Sequence, residues 1–216
     1  MKFGFKKSNI PNYLTILRIV LVPIIIIFSC VNFGPKLYWS HLPNTDYGIY
    51  FNLSWVLAGV LFIIASFTDF LDGYLSRKYH WVSDFGKLWD PIADKLLINS
   101  VLIVFAGANP HLSMKVYFII PILMIARDTI VDAFRMYAAS KSVVVAANFY
   151  GKLKTLTQII AIILIYFVYA WDFNAVNNNV WWWCVQNLFM WISLFLSLMS
   201  GGIYIYQINK RLNVKK

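Results

Sequence analysis

Six stretches of mostly apolar residues, near 13–33, 53–78, 88–108, 115–138, 152–171 and 181–207, constrain this chain more than any other feature. A helix rises about 1.5 Å per residue, so roughly 20 residues cross a hydrocarbon core of about 30 Å. Backbone groups in lipid must be satisfied within the protein, and a helix does so inside each segment. The sequence therefore predicts an all-α polytopic membrane protein with six transmembrane helices and one domain over 1–216. Composition agrees: only 13% of the residues are charged, where soluble domains carry about 25%. Turn residues mark the connectors at Gly34-Pro35, Pro43-Asn44, Asn109-Pro110 and Asn177-Asn178-Asn179. There is no internal repeat and no extramembrane domain. Cys30 and Cys184 lie in apolar runs without metal or redox spacing, and read as packing residues.

Orientation follows from the basic residues. Six spans put both termini on one side, and that side receives every lysine and arginine except Lys36 and Lys115. The positive-inside rule then predicts cytoplasmic termini in an integral membrane protein, the cytoplasmic membrane if the source is bacterial. Trp181-Trp182-Trp183 falls at the outer interface, where indole rings settle. The basic Met1–Lys7 stretch precedes an apolar segment, as in a secretory signal, but no small-residue cleavage site follows and the segment carries Arg18. The net charge of +10 suits anionic lipid headgroups, and no soluble basic domain is present to bind nucleic acid. His41, His80 and His111 have no ligand spacing.

The acidic residues are all aspartate, and five of the nine lie between 69 and 94. Asp69 and Asp72 stand three apart, and Arg77 falls on the same helical face. Gly73 beside them leaves room for a ligand to approach the backbone. Ser83, Gly86, Asp90 and Asp94 form a second stripe if the third helix begins early enough. Pro91 either opens that helix, with Asp90 as its cap, or sits inside a longer one. Four carboxylates near one membrane face repel each other unless paired or bound to metal. Oxygen-only ligands suit Mg2+ or Mn2+, and a two-metal site held by Asp69, Asp72, Asp90 and Asp94 could clamp a diphosphate. Capping and salt bridges with Arg77, Lys78 and Lys87 would not need so many aspartates.

These residues carry a resemblance. The run from Asp69 to Asp94 is similar to the signature of the CDP-alcohol phosphatidyltransferase family, D-x2-D-G-x2-A-R-x8-G-x3-D-x3-D. It matches at Asp69, Asp72, Gly73, Arg77, Gly86, Asp90 and Asp94, with Ser76 where the pattern has alanine. The family core of six transmembrane helices spans most of the chain. The resemblance implies that Asp69, Asp72 and Asp90 are metal ligands, with Asp94 a further ligand and the catalytic base. It implies contacts from Gly73, Arg77 and Ser83 to CDP-diacylglycerol, the family's donor lipid, and a homodimer.

Finer motifs resemble the branch of the family whose acceptor is glycerol 3-phosphate. They are Pro11-Asn12-Tyr13-Leu14-Thr15-Ile16-Leu17-Arg18, Asp90-Pro91-Ile92-Ala93-Asp94-Lys95, Ala126-Arg127-Asp128 with Arg135, and Gly151-Lys152-Leu153-Lys154-Thr155. Asp128 departs from that branch's glutamate, which weakens the separation from cardiolipin-forming members. By resemblance, Asn12, Thr15 and Arg18 lie at the nucleotide end of the site. Their spacing equally fits an interfacial anchor for the first helix. Arg127, Arg135, Lys152 and Lys154 fit either a basic pocket for the acceptor phosphate or anchoring at helix ends. Two other functions compete: a sister transferase with phosphatidylglycerol, inositol or serine as acceptor, and a divalent-cation transporter. A transporter would place its ionisable groups near the midplane, often with repeat symmetry, which this sequence lacks.

Overall fold

The computed structural model describes residues 9–31, 37–41, 48–79, 81, 83–107, 116–142, 149–173 and 180–214. They form six helices: α1 (Ile10–Cys30), α2 (Leu53–Tyr79), α3 (Asp84–Gly107), α4 (Ile119–Ser140), α5 (Phe149–Ala170) and α6 (Val180–Val214). Residues 1–8, the four turn motifs above, His80, His111, Lys36 and Lys115 lie outside the described residues. Among the described residues, α1, α2 and Asn187–Leu212 of α6 are long and apolar enough to cross a membrane. Large apolar side chains such as Phe70, Phe195 and Phe67 stand more than half exposed. Water would penalise such faces, and lipid accepts them. The chain is an integral membrane protein.

The helical architecture agrees with the sequence reading, with one addition. Strands β1 (Leu37–His41), β2 (Gly48–Phe51) and β3 (Trp171–Phe173) form an antiparallel sheet in the order β1-β2-β3. Phe51 pairs with Trp171 and Ile49 with Phe173. The Asn52 amide continues the ladder to the Ala170 carbonyl at 2.8 Å. The sheet thus joins the start of α2 to the end of α5. Aromatic and β-branched residues in LYWSH, GIYF and WDF are the local cause.

The described chain groups into two compact units, residues 1–113 with 163–178, and residues 114–162 with 179–216. In the first unit, α1 buries Thr15, Arg18, Val22, Ile25 and Ser29, at the spacing of one helix face. Its partner stripe on α2 is Trp55, Ala58, Gly59, Phe62, Ala65, Thr68 and Asp72. Tyr166 of α5 packs against Phe105 and Trp55, with ring centroids 4.9 and 5.6 Å apart. The Ser29 hydroxyl donates to the Ile25 carbonyl, so the Tyr166 hydroxyl, 3.0 Å away, donates to Ser29. Both stripes end in polar residues, and those ends build the first site. In the second unit, Val131 and Ala138 of α4 pack on Tyr204 and Ile208 of α6.

Helix α3 begins at Asp84, which decides between the two sequence readings of Pro91. The proline lies inside the helix, and Asp90 is a helical residue within the second turn. Ser83, Gly86, Asp90 and Asp94 therefore do follow one face.

Candidate active site

Three helices of the first unit bring their polar residues together. Asn12, Thr15 and Arg18 recur at steps of three on α1, which packs on both α2 and α3. Arg18 is completely buried. Its Nη2 donates to Asp72 Oδ2, and its Nη1 forms an ion pair with Asp69 Oδ1 at 2.5 Å, out of line for a hydrogen bond. A buried guanidinium among apolar helices is tolerable only with such partners. The two carboxylates differ, since the Asp72 side chain is 4% exposed and that of Asp69 is 40% exposed.

One turn before Arg18, Thr15 Oγ1 donates to Asp90 Oδ1 at 2.5 Å, linking α1 to α3. One turn earlier again, Asn12 Oδ1 accepts from Ser83 Oγ at 2.5 Å. Ser83 Oγ in turn accepts from the Gly86 amide at 2.9 Å, which caps the first turn of α3. Gly86 sits in a crowded place. A Cβ there would sit 3.3 Å from both Asp90 Oδ2 and Ser83 Oγ, and 3.5 Å from Asn12 Oδ1. On α2, a Cβ at Gly73 would lie 3.6 Å from Arg77 Nη2, so the Arg77 side chain folds back over the glycine. Asp94 is half-buried, four residues beyond Asp90 on α3.

The donor chemistry suits a hard divalent cation: Asp69, Asp72 and Asp90 offer only oxygen and sit close enough to repel one another. Among the described contacts, one guanidinium serves two of these three carboxylates, and a hydroxyl serves the third. Among the described residues, no three acidic, histidine or cysteine side chains stand around one point as ready ligands. Arg18 holds Asp69 and Asp72 instead. Sequence reasoning assigned Arg18 to the donor lipid and did not foresee this pairing.

The second unit holds the basic candidates, and the structure divides them. Arg127 Nη1 and Lys154 Nζ both donate to Asp128, each at 2.7 Å. Arg127 Nη2 donates to Ser200 Oγ of α6 at 2.6 Å. Lys154 is buried, while Lys152, two residues away on α5, is exposed, because residues two apart do not share a helix face. Arg135 is exposed, with its guanidinium 5.5 Å from the Tyr204 ring centroid. The sequence reading marked Asp128 only as a motif departure and missed Ser200 altogether. The available signal was physical: two cations on apolar helices need a carboxylate, and Asp128 adjoins one of them.

The fold and site thus define an integral membrane protein with a carboxylate-rich cluster on α1–α3 and a cationic cluster on α4–α6. The family model for CDP-alcohol phosphatidyltransferase matches residues 8–199, and the chain belongs to that family. Its relatives are specific. A Mycoplasma pneumoniae protein named CDP-diacylglycerol–glycerol-3-phosphate 3-phosphatidyltransferase is 38% identical over 97% of this chain and 91% of its own length. Proteins of the same name from Bacillus subtilis and Rickettsia prowazekii are 35% and 34% identical, each over 91% of this chain and 93% of their own lengths.

Proposed function

We propose that this chain transfers the phosphatidyl group of CDP-diacylglycerol to glycerol 3-phosphate, forming phosphatidylglycerophosphate and CMP. The observation that carries the reading is the convergence of Asp69, Asp72 and Asp90 with the α1 stripe Asn12, Thr15 and Arg18, within a chain whose relatives bear that enzyme's name.

The chemistry needs few parts. An acceptor hydroxyl oxygen attacks the β-phosphorus of the donor lipid. The bond from that phosphorus to the bridging oxygen breaks, and CMP leaves with the bridging oxygen. Asp94 takes the hydroxyl proton. Asp69, Asp72, Asp90 and Asp94 would hold divalent cations, with magnesium or manganese supplying charge stabilisation at the phosphates when bound. Gly73, Arg77 and Ser83 face the CDP moiety, with Arg77 able to fork onto phosphate oxygens. Arg127 and Lys154 bind the acceptor phosphate. Arg135 and Lys152, both exposed, add positive charge at longer range.

All six helices span the bilayer as one membrane domain over 1–216, with both termini and the reaction on the cytoplasmic side. The lysine and arginine distribution supports that orientation, and the family resemblance supports a homodimer. The test is an acceptor screen: purified protein, CDP-diacylglycerol and magnesium, with CMP release measured. Turnover is expected with glycerol 3-phosphate and not with phosphatidylglycerol, inositol or serine. Turnover with phosphatidylglycerol alone would assign the chain to cardiolipin formation instead.

A further inference from the structure

We infer that Ser200 and Gly201 of α6 are positioning residues that seat the Arg127 guanidinium for the acceptor's phosphate; the inference rests on the acceptor reading of Arg127 above. Arg127 lies on α4, in a helix whose neighbours are mostly apolar. A long side chain there has many rotamers, and a phosphate site needs one of them. Two bonds select it, from Nη1 to Asp128 and from Nη2 to Ser200. Ser200 Oγ donates its own proton to the Ser197 carbonyl at 3.0 Å. Its lone pairs are therefore turned outward as acceptors, which is the polarity a guanidinium requires. Ser200 is 2% exposed, so water does not compete for that bond.

Gly201 supplies the space. A Cβ at this position would stand 2.7 Å from Arg127 Nε and 3.3 Å from Arg127 Cγ. These atoms are the middle of the side chain, and both ends are held, one by the backbone and the other by Ser200 and Asp128. The arginine cannot step aside without losing a bond. The next residue makes the contrast, since a Cβ at Gly202 would meet nothing within 4 Å. Two adjacent helical glycines thus have opposite expectations for the same substitution. Asp128 completes the seat, accepting from both Arg127 and Lys154.

The experiment compares Gly201→Ala, Ser200→Ala, Gly202→Ala and Arg127→Ala in the purified full chain with magnesium. KM for glycerol 3-phosphate, KM for CDP-diacylglycerol and kcat are each measured. Alanine is the better helix former, so neither glycine substitution weakens α6 by itself. Loss of a buried bond to a charged group corresponds to about 10-fold or more in affinity. Gly201→Ala and Ser200→Ala should raise KM for glycerol 3-phosphate by about that factor, with KM for CDP-diacylglycerol within about 2-fold, and Gly202→Ala should match the parent. Ser200→Ala adds no volume, so it tests the seat even where Gly201→Ala folds poorly. A raised acceptor KM in Arg127→Ala with unchanged Gly201→Ala and Ser200→Ala overturns the positioning role alone. Unchanged acceptor KM in Arg127→Ala overturns the acceptor reading and this inference with it. An equal rise in both KM values in Gly201→Ala and Ser200→Ala would mark a general structural defect and overturn the positioning role.

Discussion

Removing Arg18 tests the electrostatic account of the aspartate cluster most directly. The side chain is wholly buried and is held by Asp72, 4% exposed, and Asp69, 40% exposed. Arg18→Met keeps most of the length and packing and deletes the charge. Removing one partner of a buried ion pair costs about 3–5 kcal/mol, because the other charge stays buried. The Asp69 contact contributes little to that figure, since solvent already screens it. The Asp72 contact therefore carries nearly all of the loss, which puts the expectation at about 3 kcal/mol. The assay is denaturant unfolding in mild detergent, followed by tryptophan fluorescence, with and without EDTA. In EDTA the variant should show the full deficit. In saturating magnesium the deficit should shrink, because both cations compensate the same carboxylates and their effects are less than additive. Arg18→Lys keeps a charge but cannot fork onto two carboxylates, and should fall between the two. Equal stability of Arg18→Met and the parent in EDTA would refute the claim that Arg18 is the counter-ion of this cluster. A deficit unchanged by magnesium would refute the shared-carboxylate argument.

Other outcomes follow from the same geometry. EDTA should abolish CMP release and magnesium or manganese restore it, and Asp90→Asn should reproduce the chelated state in the same assay. Asp94→Asn should lower turnover by about 100- to 10,000-fold while CDP-diacylglycerol still binds, as read by kcat and by lipid binding. Gly59→Ala places a Cβ 3.0 Å from Tyr166 Cβ; it should destabilise the chain by about 1–3 kcal/mol in unfolding experiments and leave both KM values unchanged.

The sequence made the helices legible because the apolar segments are long. It made the two aspartate stripes legible because Asp69, Asp72, Asp90 and Asp94 recur at helical steps. What it left open were partners across helices. Periodicity says that Asn12, Thr15 and Arg18 share a face, yet an anchor and a site have the same period. Only the packing of α1 on α2 and α3 puts Arg18 against Asp69 and Asp72, and Thr15 against Asp90. Lys152 and Lys154 show the reverse case. They sit in one motif, but a helix turns them to different sides, so proximity in sequence overstated their likeness. The sheet was missed for a different reason. Its strands are three to five residues long, too short for alternation to stand out beside the helical runs.

The two polar clusters obey one electrostatic rule with opposite signs. In the first unit, Asp69 and Asp72 share the Arg18 guanidinium and Asp90 accepts from Thr15, so carboxylates are the majority in the described contacts. In the second, a guanidinium and an ammonium share the Asp128 carboxylate, so cations are the majority in the described contacts. Each minority charge limits the repulsion that burial would otherwise make prohibitive, and fixes the geometry of the majority. Full neutralisation would leave nothing for a ligand to complete. The first cluster therefore suits divalent cations, and the second suits a phosphate, which carries about −2 near neutral pH. Replacing the minority charge is then a different experiment from replacing a ligand-binding one. Losing Arg18 or Asp128 should damage stability and geometry first, whereas losing Asp90 or Lys154 should damage binding first. Stability and KM, measured side by side on these four positions, separate the two kinds of residue.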